Sequence, residues 1–109
     1  MVVRSDLKPL SYQLPQACHA MCSFIFEHID LAKQWHEQSD YLVILNVNDE
    51  IEILNLINKA NELNIKNSIF RERDYNNEIT FVALEPGCNS KKLCQNLKLA
   101  MYNIKAPLV

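Results

Sequence analysis

Glycine is almost missing from this chain: Gly87 is the only one in 109 residues. A dinucleotide-binding fingerprint, a phosphate-binding P-loop and the elbow that presents a hydrolase serine each need several glycines at fixed offsets. The backbone must turn sharply, or approach its ligand closely, at those positions. All three devices are excluded, and with them NAD-type cofactors, ATP in a Walker loop and esterase chemistry at an elbow serine. An apolar run of membrane length is lacking too. The longest runs, around Tyr41–Leu45 and Phe81–Leu84, are strand-sized. Charges at Arg4, Asp6 and Lys8 leave no room for the apolar core of a signal peptide, so the expected location is cytoplasmic, with no membrane partner. Positive charge is not in excess. Eleven Lys and Arg stand against thirteen Asp and Glu, for a net charge of −2. A phosphate-gripping surface is therefore absent in aggregate, although a local patch is compatible with that sum.

What is present reads as an ordinary globular domain, 49% hydrophobic and 22% charged, with residues 1–109 forming one unit. Four cysteines (Cys18, Cys22, Cys88 and Cys94) in such a chain are expected as reduced thiols, packed as small hydrophobes. Zinc would need converging thiolates and imidazoles. His19, however, lies about 100° round a helix from Cys18, and Cys88 and Cys94 show no ligand spacing. No metal and no cofactor are expected.

Periodicity sets out the elements. Met1–Arg4 reads as a buried strand. Ser11 to about His28 reads as a helix, with Ser11 as N-cap, Pro15 in the first turn, and Leu14, Ala17, Cys18, Met21, Cys22 and Ile25 as its apolar face. Leu31–Glu37 adds a turn or two. Tyr41–Val47, apolar and β-branched, reads as a strand covered on both faces. Asp49 with Glu52 fits a capping box for a helix to about Leu63, with Ile51, Leu54, Ile57 and Ala60 buried and Leu56 and Leu63 as further candidates for that stripe. Lys66–Arg71 and Ile79–Glu85 read as strands of a hairpin turning through Asn76-Asn77, which tolerate left-handed backbone. Pro86-Gly87 ends the second strand. A last helix from Asn89 or Ser90 carries Leu93, Leu97, Ala100, Met101 and Ile104. The order β-α-β-α-β-β-α predicts an α/β fold, a three-layer α/β/α sandwich around a mixed four-stranded sheet.

Chemistry-bearing groups gather where the first strand ends and the first helix begins: Val2-Val3-Arg4-Ser5-Asp6-Leu7-Lys8, then Gln16-Ala17-Cys18-His19-Ala20. Open α/β sheets place ligands at such strand ends. These two segments and the element order resemble the type 2 peptidyl-tRNA hydrolase family, whose members carry a strand ending in Arg-x-Asp-Leu and a helix with Gln-x-x-His-Ala. Ile79-Thr80-Phe81-Val82-Ala83-Leu84-Glu85-Pro86 is similar to the family's final strand.

The resemblance implies hydrolysis of the ester joining a peptide to the 3′ end of tRNA, no metal or cofactor, and a homodimer. That reaction needs an oriented water, a stabilised oxyanion and cations or N–H groups facing phosphates. On this reading Asp6, Lys8, His19 and Thr80 are catalytic, and Gln16, Arg71, Arg73 and Asp74 contact the substrate. The family's glycine- and lysine-rich stretch is replaced by Pro9-Leu10-Ser11-Tyr12-Gln13, with Tyr12 or Gln13 at the place of its lysine. Its Asp-Ala-Gly-Arg-Thr segment is replaced by Phe70-Arg71-Glu72-Arg73-Asp74-Tyr75-Asn76-Asn77. Lys8 and Asp74 are the candidates to stand in for the cation and the carboxylate. The rival expectation is a non-catalytic relative that binds tRNA, a small ligand or a protein partner.

Overall fold

The computed structural model describes residues 1–101. Strand β1 (Val2–Arg4) leads through a 3-10 turn (Leu10–Tyr12) into helices α1 (Gln13–Glu27) and α2 (Ile29–Gln38). Then come β2 (Leu45–Val47), α3 (Glu50–Glu62), β3 (Asn67–Glu72), a 3-10 turn (Arg73–Tyr75) and β4 (Glu78–Leu84). Helix α4 (Cys88–Leu93) and strand β5 (Lys98–Leu99) complete the described chain. The sheet order is β3-β4-β1-β2-β5, with β1 parallel to β2 and the other pairs antiparallel. The mixed α/β expectation holds, and so does the hairpin: Asn76 and Asn77 both take φ of 57°.

Alternation along the strands sorts residues between two cores. Val2 and Val82 pack with Val47, Ile53, Leu56 and Ile57 of the β2–α3 segment. Val3, Phe81 and Ala83 pack with Leu7 and with Ala17, Ala20, Phe24 and Ala32 of α1 and α2. The alanines matter, because small side chains let α1 lie close to the sheet. Helix α3 starts as its sequence demands. The Asp49 carboxylate accepts from the Glu52 N–H at 3.0 Å, while the Glu52 carboxylate reaches back to the Asn48 N–H at 2.7 Å.

Five expectations are corrected. The sheet has five strands, not four, because Leu99 pairs with Leu45 and Lys98 with Asn46. That pairing covers an edge of β2 that would otherwise expose unpaired backbone. The last helix accordingly stops at Leu93 rather than running on through Leu97 to Met101; Ile104 lies outside the described residues. In α3 the buried face is Ile53, Leu56, Ile57 and Ala60, with Ile51 and Leu54 turned outward. In α1 it is Gln13, Gln16, Ala17, Ala20 and Phe24, with Leu14, Cys18 and Cys22, expected on the apolar face, turned outward. Three thiols are exposed, and only Cys94 is buried.

Phe81 is fully buried and central to the α1-side core. Phe81→Ala is expected to destabilise the fold by about 3–5 kcal/mol in urea unfolding, from lost burial and the cavity left behind.

Candidate active site

At the C-terminal end of β1, one buried arginine collects groups from three segments. Arg4 is 4% exposed. Its Nε and Nη2 donate to Asp6 Oδ1 and Oδ2 at 3.0 and 2.8 Å, a bidentate pair within the strand exit. Its Nη1 donates to Glu78 Oε1 at 2.8 Å and to the Ile79 carbonyl at 3.2 Å, which ties in the start of β4. The guanidinium lies over the Tyr75 ring, 5.3 Å from its centroid, and Tyr75 Oη donates to the Asp6 carbonyl at 3.4 Å. The Asp6 hydrogen bond, ahead of the opposing effect of burial, raises the Arg4 pKa above that of a free arginine, and Glu78 adds to it.

A second network runs outward from the core. Thr80 is fully buried, and its hydroxyl donates to Gln16 Oε1 at 2.6 Å. Gln16, 1% exposed, donates through Nε2 to Glu72 Oε2 at 2.8 Å. The Asp74 N–H donates to Glu72 Oε1 at 3.3 Å. These bonds, Gln16 first, hold the Glu72 carboxyl below its usual range; the nearby His19 charge acts in the same direction, and partial burial opposes it. His19 is exposed and stacks on Phe70, with ring centroids 4.5 Å apart and 21° between planes. Tyr12 adjoins the same group: lost hydration, then the charges of Glu72 and Asp74, push its phenol up.

The residues singled out from sequence are thus distributed unevenly. Gln16, His19 and Thr80 meet along the seam between α1 and the hairpin, and Asp6 is held beside it by Arg4. Thr80 faces inward with no exposed surface. Lys8 is exposed on the β1–α1 connection. Arg71 is exposed and donates from Nη1 to the Asn77 carbonyl at 3.3 Å, while Arg73 and Asp74 are exposed on the 3-10 turn. Arg4, Glu72, Tyr75 and Glu78 were assigned no role by sequence reasoning. For Glu72 a signal existed, since period-2 alternation puts it on the face of β3 that carries Phe70. Nothing local marked Glu78 as the partner of a residue 74 positions earlier. Among the described residues no three His, Cys, Asp or Glu side chains gather as metal ligands would.

Two stability predictions follow from these networks. Arg4→Met strands the Glu78 carboxylate and the buried Ile79 carbonyl, and should cost about 3–5 kcal/mol in urea unfolding. Because folding lowers the Glu72 carboxyl pKa, its contribution is present above the ordinary glutamate range and is lost as pH falls through the folded value. Glu72→Gln should therefore flatten the fall of stability with pH below about 4.3, read from urea midpoints across an acid series.

Comparison with curated proteins yields no match. The family model for Peptidyl-tRNA hydrolase PTH2, in contrast, matches residues 1–100, covering the Arg4–Asp6 strand end, the Gln16–His19 helix and the Thr80 strand together. The chain belongs to the type 2 peptidyl-tRNA hydrolase family.

Proposed function

We propose that this chain hydrolyses the ester linking a peptide to the 3′ end of tRNA. The observation that carries the reading is the meeting of both N-terminal motifs with the threonine strand: Gln16 joins Thr80 and Glu72 by bonds of 2.6 and 2.8 Å, and Arg4 reaches Glu78 and the Ile79 carbonyl at 2.8 and 3.2 Å. The family match supports the same reaction and favours it over the binding-only alternative.

In this reading His19, exposed and braced by Phe70, helps to position the attacking water. Lys8 supplies a mobile cation near the developing oxyanion. Asp6 acts through Arg4, fixing the strand exit from which Lys8 projects. Thr80 acts from below, orienting Gln16, whose amide faces the site. Arg71 and Arg73 meet phosphates at the rim, and Asp74 lends its N–H to Glu72. The two cores on alternate strand faces support the three-layer α/β/α description. The homodimer and the cytoplasmic setting come with the family resemblance; among the described residues no helix is long and apolar enough to cross a membrane.

The test is to follow release of free tRNA from peptidyl-tRNA by the purified protein. His19→Ala and Lys8→Ala should each lower kcat/KM by about a hundredfold or more. Arg73→Ala should raise KM, keep kcat and weaken the salt dependence of binding. Absence of turnover by wild-type protein at micromolar concentration overturns the reading.

A further inference from the structure

We propose that Glu72 is the carboxylate that orients and deprotonates the hydrolytic water, and that Thr80 and Gln16 are positioning residues that aim it from the core. This rests on the hydrolase reading above and gives that site a base absent from the sequence-derived list.

Four carboxylates lie around the exit of β1 and the turn of the β3–β4 hairpin, and three are unsuited to the task. Asp6 accepts from Arg4 on both oxygens, and Glu78 is bonded to the same guanidinium. Asp74 is exposed on the turn with no side-chain hydrogen bond among the described residues to fix its direction. Glu72 differs from all of them. Its oxygens accept only neutral N–H groups, from Gln16 at 2.8 Å and from the Asp74 backbone at 3.3 Å, with the Arg73 backbone N–H a weaker contributor. Among the described residues it forms no salt bridge. A carboxylate offers about four acceptor positions, so both oxygens keep capacity for a water.

Placement agrees with the role. Phe70 and Glu72 share one face of β3, and α1 lies along that face. Gln16 bonds Glu72, and His19, one helical turn further on, stacks on Phe70. The carboxylate and the imidazole thus flank the same seam, His19 on its solvent side.

The relay beneath is directional. An ionised carboxylate only accepts, so Gln16 must present Nε2 to Glu72 and Oε1 to Thr80; the flipped amide would set two acceptors against each other. The Thr80 hydroxyl donates to Oε1 at 2.6 Å, with the Phe70 carbonyl a longer alternative at 3.5 Å, and so supports the orientation that the carboxylate sets. A fully buried glutamine and threonine between helix and sheet cost stability that an apolar pair would not. Holding a carboxylate in one direction is what this pair accomplishes here. The hydrogen bonds also hold the Glu72 carboxyl below its usual range, which favours orienting the water over strong proton affinity.

In the step itself, the water oxygen bonds to the ester carbonyl carbon as one of its protons passes to Glu72. The bond from that carbon to the ribose oxygen then breaks, and the departing oxygen takes the proton, returning Glu72 to its carboxylate. A carboxylic acid and free tRNA result, with no change of oxidation state.

Kinetics on wild type, Glu72→Gln, Glu72→Asp and Thr80→Val, with Glu37→Gln on the exposed surface of α2 as control, test the proposal. A parallel 13C titration follows the Glu72 carboxyl. Expected are a loss of kcat of about a hundredfold in Glu72→Gln with KM within twofold, and a loss of about tenfold in Thr80→Val. In Thr80→Val the Glu72 carboxyl should titrate closer to an ordinary glutamate than in wild type. Should Glu72→Gln fail to fold, Glu72→Asp keeps the charge, withdraws it by one methylene and should show the same fall in kcat. An active wild type whose folded Glu72 variants keep full kcat overturns the catalytic role. An unchanged titration in Thr80→Val overturns the relay. A wild type without turnover is the distinct failure of the hydrolase reading, and Glu72 loses its catalytic role with it.

Discussion

Burying the guanidinium of Arg4 constrains everything near the mouth. A cation taken from water at the end of a central strand must be surrounded by acceptors, or the fold loses several kcal/mol. The acceptors here come from separate parts of the chain: Asp6 two residues on, and Glu78 with the Ile79 carbonyl at the start of β4. Tyr75 closes the face of the group. Satisfying one side chain therefore fixes the exit of β1 against the turn of the β3–β4 hairpin. The two lips of the candidate site are set at one spacing by the same bonds that neutralise the buried charge.

The second constraint is the depth at which α1 meets the sheet. Ala17 and Ala20 let the helix sit close, and that closeness brings Gln16 within 2.6 Å of Thr80 and 2.8 Å of Glu72. A larger residue at either alanine would lift the helix and break both bonds together. Packing and polar chemistry are thus one device along this seam: small apolar residues set the distance at which the hydrogen bonds form. His19 gains its orientation from the same approach, through the Phe70 ring.

Sequence reasoning reached the parts of this arrangement governed by local rules. The capping box at Asp49 and the left-handed Asn76-Asn77 turn follow from short-range geometry, and both are present in the structure. It failed where distant pairing decides. A two-residue strand such as Lys98–Leu99 has no periodicity to detect and exists because β2 has an edge to cover. Leu14 lies 58% exposed, whereas Gln16 is buried, because a polar chain from Thr80 claims the helix face that hydrophobicity alone would give to leucine. Glu72 looked like one charge among several in a polar connection. Only the register of β3 and the bond from Gln16 distinguish it.

The distribution of charge also bears on how an acidic chain could take the phosphate-bearing substrate proposed for it. The net charge of −2 is an average over the whole surface. At the mouth, Asp6 and Glu78 are engaged by Arg4, which is itself nearly removed from solvent, so their fields are offset at short range. The side chains left exposed around them include Lys8, Arg71 and Arg73. Attraction between exposed charges falls off over about 8–10 Å at physiological ionic strength, so a polyanion near the rim responds to those cations more than to acidic groups on distant helices. A buried arginine bonded to two carboxylates has an electrostatic consequence beyond its packing: it offsets part of the acidic field beside the site, so that Glu72 and Asp74 are the carboxylates the rim cations face.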